Sequence, residues 1–166
     1  AVATNPKYGY NLPEGRVMGM RLKKDENGRF LTQYDTSDGY TINSVDGKTV
    51  NINKILVPRY EANPIMIAGD SDGDYNMMTE LSGLNGVAMV NKYNPLQLVL
   101  IVNRLKGGNI GELCKIADEQ LSGKGKAVNS TAVVLQGRDE NTGQWIPTEK
   151  TLKLGKIGDE NLKLLR

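Results

Sequence analysis

The chain has 166 residues, of which 39% are hydrophobic and 24% charged, values typical of a globular domain. It contains no histidine, which excludes Ser-His-Asp hydrolases and histidine-ligated metals, and its single cysteine excludes an internal disulfide. The net charge of +2, with both signs interspersed, gives no basic patch for nucleic acid. The absence of any run of about 18 apolar residues predicts that no segment spans a membrane.

The first 46 residues predict a hairpin followed by a polar surface loop. Stretches 17–22 and 29–34 flank the Asn27-Gly28 pair, which is a hairpin signal. Residues 35–46 are polar and rich in turn formers. We therefore expect a surface loop over 35–46.

The middle of the chain alternates apolar runs with helical patterns, which predicts an α/β sheet. The predicted elements are a helix over 48–56 that stops before Pro58, a strand over 65–68, a helix over 74–81, strands over 86–90 and 96–102, a helix over 110–121 and a strand over 131–135. Residues 122–130, rich in Gly and Lys, predict a loop. Cys114 lies beside the apolar face of the helix over 110–121, which indicates packing rather than nucleophilic chemistry.

An acidic cluster follows the predicted strand Ile65–Ala68, whose unbroken apolar run is typical of a strand buried on both faces. Asp70, Asp72 and Asp74 would repel one another unless a cation lies among them. The carboxyl ends of parallel strands are where α/β sheets bind ligands. A polar turn without function is the alternative.

An EF-hand is excluded for this acidic cluster by the residues that follow it. Tyr75 stands where the calcium loop needs glycine, and Leu81 stands where it needs glutamate. A strand rather than a helix also enters the loop.

Gly69-Asp70-Ser71 followed by Asp74, after a buried strand, resembles the last motif of the haloacid dehalogenase superfamily of phosphohydrolases. Lys48 is similar to the lysine that the superfamily carries upstream of this strand, and Lys54 is the competing candidate. Two further stretches extend the resemblance to phosphoserine-phosphatase-like members and to exported bacterial phosphatases related to phosphorylcholine phosphatase: 8–21 and 135–145.

The resemblance implies the C-terminal part of a haloacid dehalogenase-like Rossmannoid parallel sheet with flanking helices. Regions 1–46, 47–135 and 136–166 would be a hairpin and loop, a core and a C-terminal extension. The superfamily's nucleophile motif, Asp-x-Asp-x-Thr/Val on the central strand, has no counterpart here, and neither has the cap. We therefore expect the N-terminal remainder of the same protein, or a second copy, to complete the fold.

The activity implied by the resemblance is Mg²⁺-dependent hydrolysis of a small phosphomonoester through an aspartyl-phosphate. Lys48 would be the catalytic lysine, and Asp70 and Asp74 would bind Mg²⁺, while Asp72 would point to solvent. The exported subgroup implies a periplasmic location. A fragment or degenerate relative that binds a cation or a partner without chemistry is the alternative.

The sequence alone leaves two roles open for each of three residues near the end of the chain. Trp145, the only tryptophan, can stack on a quaternary ammonium ligand or pack at a turn. Arg138 and Asp139 can contact substrate or form a surface ion pair.

Overall fold

A computed structural model of the protein describes residues 3–84, 93–124 and 131–156. Its helical segments are α1 (Asp46–Asn51), a π-helical turn (Ile52–Leu56), α2 (Val57–Tyr60), α3 (Asp72–Ser82) and α4 (Asn109–Leu121). Its strands are β1 (Leu22–Lys24), β2 (Phe30–Tyr34), β3 (Met66–Gly69), β4 (Leu98–Asn103), β5 (Ala132–Arg138) and β6 (Trp145–Ile146). The predicted strand over 86–90, most of the loop over 122–130 and the end of the C-terminal extension lie outside the described residues.

The main sheet has four strands in the order β3-β4-β5-β6. Strands β3, β4 and β5 run parallel, and β6 pairs antiparallel with β5. Gly69 lies opposite Ile101, and Asn103 lies opposite Gly137, so the three parallel strands end at one edge. The α/β class with a mostly parallel sheet and flanking helices is confirmed, while the assignment to the haloacid dehalogenase superfamily stays a prediction.

Helices α3 and α4 cover one face of this sheet and form the core with it. Alternate strand residues face these helices because successive side chains of a strand point to opposite faces. The buried core residues are Ile67, Met78, Leu81, Leu96, Val99, Ile101, Ile110, Leu113, Ala117 and Val133. Removing such apolar surface from water stabilises the fold by about 25 cal/mol per Å².

The opposite face of the sheet lacks a comparable cover within the described residues. Met66 is 46% exposed there and Ala68 is also exposed, whereas Ile67 between them is buried. The prediction of a strand buried on both faces is therefore wrong for the described part of the chain. The physical reason is that α3 packs on one face of β3, whereas no described helix packs in the same way on the other.

The helical segment from Asp46 to Tyr60 is longer than predicted. Its continuation past Pro58 contradicts the expected stop, because Pro58 falls in the first turn of α2, where the missing N–H costs little. Helix α3 begins at Asp72, two residues before the predicted start, and ends at Ser82. Gly83 follows it, and its positive φ of 74° suits the C-cap of a helix.

The N-terminal hairpin is antiparallel, as predicted, but its first strand begins only at Leu22. The Asp25 carboxylate accepts hydrogen bonds from the N–H groups of Asn27 and Arg29, which stabilises the turn. Every residue of β1 and β2 is exposed, so the hairpin adds little to the core. No helix within the described ranges is both long and apolar enough to cross a membrane.

Candidate functional site

The acidic loop predicted from the sequence joins β3 to α3 at the carboxyl edge of the sheet. Asp70 and Ser71 form the connection, and Asp72 and Asp74 lie in the first turn of α3. Negative side chains are favoured there because the helix N-terminus carries a partial positive charge. The loop therefore gathers carboxylates where parallel sheets usually bind ligands.

Asp74 is the most constrained member of this loop. It is only 7% exposed, and its Oδ1 lies 2.5 Å from the Nζ of Lys48. Its Oδ2 accepts hydrogen bonds of 3.1 Å from the backbone N–H of Asp70 and from the Ser71 hydroxyl. A Cβ at position 69 would collide with the Asp74 side chain, so the approach requires Gly69.

The lysine comes from α1, which packs against α3. Lys48 and Asp74, both predicted from the sequence, are thus brought together. The competing Lys54 is exposed on the π-helical turn. Lys48 is therefore the upstream lysine that contacts the acidic loop.

Asp70 lies beside two cations that the sequence argument did not include. Its Oδ2 accepts hydrogen bonds from the guanidinium of Arg104 and, at 3.3 Å, from the Nζ of Lys106. Burial acts to raise the pKa of Asp70, but these hydrogen bonds and charges outweigh it, and the pKa lies below its ordinary value. The carboxyl group is therefore ionised at neutral pH.

Arg104 also forms an ion pair with Glu140, through its Nε. A continuous chain of charges therefore runs from Lys106 through Asp70 and Arg104 to Glu140. Arg104 directly follows β4, and Glu140 follows β5 by two residues. The sequence signal for both residues is a charged side chain shortly after a predicted strand. It could have been sought after each strand of the α/β sheet, and not only after the strand over 65–68.

Asp72 is exposed, but its carboxylate does not point only to solvent. Its Oδ1 accepts a 2.8 Å hydrogen bond from the backbone N–H of Ile110, in the first turn of α4. Gly108, at φ 76°, makes room for it, because a Cβ there would collide with the Asp72 carboxylate. The expectation that Asp72 points to solvent agrees with its exposure but misses this contact, through which the side chain caps α4.

A cavity of about 500 Å³ opens beside Asp70 on the less covered face of the sheet. Its lining residues are Ala68, Gly69, Asp70, Val102, Arg104, Arg138, Glu140, Trp145 and Leu154. The Arg138 guanidinium lies over the Trp145 ring, 5.1 Å from the ring centre. Cavities of this size hold small-molecule ligands in other proteins.

The predicted alternative of an Arg138–Asp139 surface pair does not occur. The Asp139 carboxylate instead accepts hydrogen bonds from the backbone N–H of Asn141 and from the Thr142 hydroxyl, which hold its pKa below the ordinary value. Arg138 is left facing Trp145 and the cavity.

Cys114 is half-buried against the core, as predicted. Burial raises the pKa of its thiol, which keeps it protonated and unreactive at neutral pH. It takes no part in this site.

Asp70 and Asp74 are the carboxylates that could hold a divalent cation. Their oxygen ligands suit Mg²⁺, which needs one or two carboxylates and retains several waters. Within the described ranges no group of three or more acidic, cysteine or histidine residues converges as a metal site. Both carboxylate oxygens of Asp74 accept hydrogen bonds from Lys48 and the loop, whereas Arg104 and Lys106 contact only the Oδ2 of Asp70. Asp70 is therefore the residue better placed to bind a cation directly.

Comparison with known proteins gives a fold relative without an assigned function. No protein-family model and no curated protein matches the chain. A solved structure described as a conserved functionally unknown protein from Anaerococcus prevotii is similar, with 29% sequence identity and a TM-score of 0.68. The match covers 91% of this chain and 34% of that protein, so the chain spans about a third of its length. The comparison agrees with an α/β fold.

Proposed function

We propose that this chain supplies the lysine and the acidic loop of a Mg²⁺-dependent phosphomonoesterase. The single observation that carries the proposal is the close Lys48–Asp74 pair beside Asp70 at the carboxyl edge of the parallel strands. A lysine and two carboxylates are the groups needed to offset charge during phosphoryl transfer. The resemblance to the haloacid dehalogenase superfamily rests on the same three residues.

The burial of Asp74 supports a role beyond stability. An ion pair removed from water loses much of its attraction to the cost of desolvation, so a buried pair is weak evidence of stabilisation. Asp74 nevertheless accepts three hydrogen bonds, and Gly69 leaves room for its side chain. Such an arrangement fixes the Lys48 ammonium in one place, which suits a group that must meet a phosphoryl oxygen.

In this proposal Asp70 binds Mg²⁺ directly, and Asp74 orients Lys48. The bound ion would offset the negative charge of the phosphoryl group. The Lys48 ammonium would donate hydrogen bonds to the same group as its charge shifts. Arg104 and Lys106 form ion pairs with Asp70. When the cation binds, they would either turn toward the substrate or stay beside Asp70.

The attacking carboxylate would come from a segment that pairs with the outer edge of β3. That edge has no described partner, and Ile65 and Met66 beside it are exposed. An exposed apolar edge strand favours pairing with another segment. The segment would be the N-terminal remainder of the protein or, failing that, a second copy of this chain. The similar structure is of a protein about three times as long as the matched part.

A non-catalytic domain that binds a cation or a partner is the second candidate. The observation that favours it is that both Asp70 and Asp74 already have cationic partners within the described residues. A loop whose charges are balanced needs no metal to be stable. Hydrolysis by the complete protein decides between the two candidates.

The test compares this chain alone with the protein that also contains the nucleophile segment, using p-nitrophenyl phosphate and Mg²⁺. We expect no turnover by the chain alone. In the complete protein, Asp70→Asn and Lys48→Ala should each lower the rate by about 100-fold or more. Lys54→Ala is the matched control and should keep full activity. Turnover by the chain alone, or wild-type rates in both variants, would refute the proposal.

A further inference from the structure

The outer edge of β2 is the less protected of the two free edges of the N-terminal hairpin. Within the described residues, β1 is the only strand that pairs with β2. The edge of β1 is protected by Lys23 and Lys24, because charged side chains oppose pairing with a further strand. The five residues of β2, Phe30–Tyr34, contain neither a charge nor a proline, and all are exposed. The edge of β2 is therefore suited to an added strand.

The pairing within the hairpin leaves part of β2 without a complete ladder. Leu22 lies opposite Tyr34, and Lys24 lies opposite Phe30. One residue of β1 thus faces three residues of β2, with Thr32 at their centre. Such an insertion is a β-bulge, which leaves backbone groups of the longer strand unpaired in the ladder. Backbone groups around Thr32 are therefore free to bond to a second strand.

Two aromatic side chains of β2 remain largely in water. Phe30, the only phenylalanine, is 68% exposed although the Lys24 ammonium lies 5.0 Å from its ring centre. Tyr34 is 48% exposed. Both rings lie on one face of the hairpin, because their partners on β1 are two residues apart. Aromatic pairs across antiparallel strands stabilise a sheet, so these rings suit a partner strand with rings at matching positions.

The sequence of β2 and its flanks is complementary to itself when one copy is reversed. The stretch Arg29-Phe-Leu-Thr-Gln-Tyr-Asp35 has a cation at one end, an anion at the other, and a ring next to each. Two copies that pair antiparallel about Thr32 place each Phe30 opposite a Tyr34. The same register places each Arg29 opposite an Asp35. Interfaces with two-fold symmetry are self-complementary in this way.

The charges at the two ends of this stretch are available for that register. Arg29 is exposed and forms no ion pair in the part of the chain that the structure describes. Hydrogen bonds from Ser37 and from Arg21 hold the pKa of Asp35 below its ordinary value, so this carboxyl group is negative at neutral pH. A carboxylate has about four acceptor sites, which leaves room for the Arg29 of a second copy. Surface ion pairs add little affinity, but they disfavour other registers.

We propose that two copies of this chain associate through their hairpins, with β2 of each copy paired antiparallel about a two-fold axis at Thr32. The two hairpins then form one four-stranded sheet in the order β1-β2-β2-β1. Four aromatic rings lie side by side on one of its faces. This interface is separate from the acidic loop and does not depend on the proposed activity.

The exposed area of the rings indicates how strong the association is. A buried aromatic side chain removes about 150–250 Å² from water. At the exposures of Phe30 and Tyr34, the four rings contribute on the order of 500 Å², against about 1,200–2,000 Å² for a stable interface. The dimer should therefore be weak, with a dissociation constant on the order of tens of micromolar.

Sedimentation velocity of the chain at concentrations from about 1 to 500 µM tests the proposal, and we expect a shift from monomer to dimer across this range. Thr32→Lys and Thr32→Glu each place two like charges opposite each other at the axis, so each should weaken association about 10-fold or more. Thr32 is exposed, so both variants should fold, which circular dichroism checks. An equimolar mixture of the two variants brings opposite charges together and should associate within about threefold of the wild-type protein.

The mixture is the decisive measurement, because a hairpin that was merely destabilised would not recover on mixing. Met66→Lys is the matched control: it adds the same charge to the exposed edge strand of the main sheet and should leave association within about twofold. A chain that stays monomeric at every concentration, or a mixture that associates no better than either variant alone, would overturn the inference. Association that is lost in Met66→Lys but kept in Thr32→Lys would assign the contact to β3 and overturn it as well.

Discussion

The two faces of the main sheet differ in how far their side chains are buried. On the face that α3 and α4 cover, Val99, Ile101 and Leu113 are almost fully removed from water. On the other face, Met66 and Ala68 are exposed and Val102 is half-buried beside the cavity. Alternate residues of one strand thus contribute either to the core or to a surface that the described part of the chain leaves partly open.

This difference indicates where the stability of the domain and, in the proposed function, its ligand binding would reside. Burial of apolar area is the main favourable term in folding, so the covered face should contribute most of the stability of this domain. The less covered face contains the cavity and its charged edge, and its residues should matter more for ligands than for folding. Substitutions on the two faces can therefore separate stability from function.

The largest expected effect is truncation of the core on the covered face. Leu113→Ala should lower the free energy of unfolding by about 2–5 kcal/mol, because it removes a fully buried side chain and leaves a cavity. Val102→Ala, on the opposite face, should cost less than about 1 kcal/mol, because its side chain is only partly removed from water. Urea unfolding followed by circular dichroism measures both.

A loss of stability in Val102→Ala as large as that in Leu113→Ala would contradict the difference in burial between the two faces of the sheet. It would mean that both faces are equally buried in solution, as they would be if a second chain covered the open face. Sedimentation of the same samples would then detect the associated form.

The next largest effect concerns the two lysines that contact the acidic loop. Lys48→Met should cost about 2 kcal/mol, because it leaves the buried Asp74 without its cation. Lys106→Met removes a more exposed partner of Asp70 at 3.3 Å and should cost below about 0.5 kcal/mol. Urea unfolding of the two variants, compared with the wild-type protein, tests the difference.

A second substitution checks the cause of the Lys48 effect. Asp74→Asn removes the uncompensated charge, so the double variant with Lys48→Met should recover part of the loss. Additive costs in the double variant would show that the pair is not coupled.

Much of the α/β fold could be predicted from the sequence because its signals are local. The apolar run before Asp70 and the helical period around Leu113 indicated β3 and α4, and the Asn27-Gly28 pair indicated the hairpin turn. Lys48, Asp70 and Asp74 could be singled out because they resemble one short motif and its upstream lysine. The contact between Lys48 and Asp74 follows from the packing of α1 on α3.

The rest depended on contacts between distant parts of the chain. Arg104 meets Glu140 and Asp70 only because β3, β4 and β5 are parallel neighbours in register. The two-residue β6, which contains Trp145, has too few residues for a periodic signal. The exposure of Met66 could not be predicted either. An apolar run indicates burial, but it does not identify which element covers each face of the strand.

A smaller effect than that of Lys48→Met is expected at Asp72, which connects the acidic loop to the covered face. Asp72→Ala removes the acceptor for the Ile110 N–H and should cost about 1 kcal/mol, the usual value for a lost helix cap. Asp72→Asn keeps an oxygen acceptor and should cost only a fraction of that. Urea unfolding gives the totals, and hydrogen exchange at Ile110 gives the local effect, which should be faster exchange in Asp72→Ala alone.

The loss of this cap should also affect the less covered face of the sheet, through the connection between β4 and α4. That connection contains Arg104 and Lys106, and its end is fixed where Asp72 meets the first turn of α4. If Asp72 only interacted with solvent, Asp72→Ala would leave both the stability and the Ile110 exchange rate unchanged. If it is the cap, loosening the start of α4 also loosens the two cations around Asp70. The acidic loop would then hold its carboxylates in place with Lys48 on one side and the α4 connection on the other.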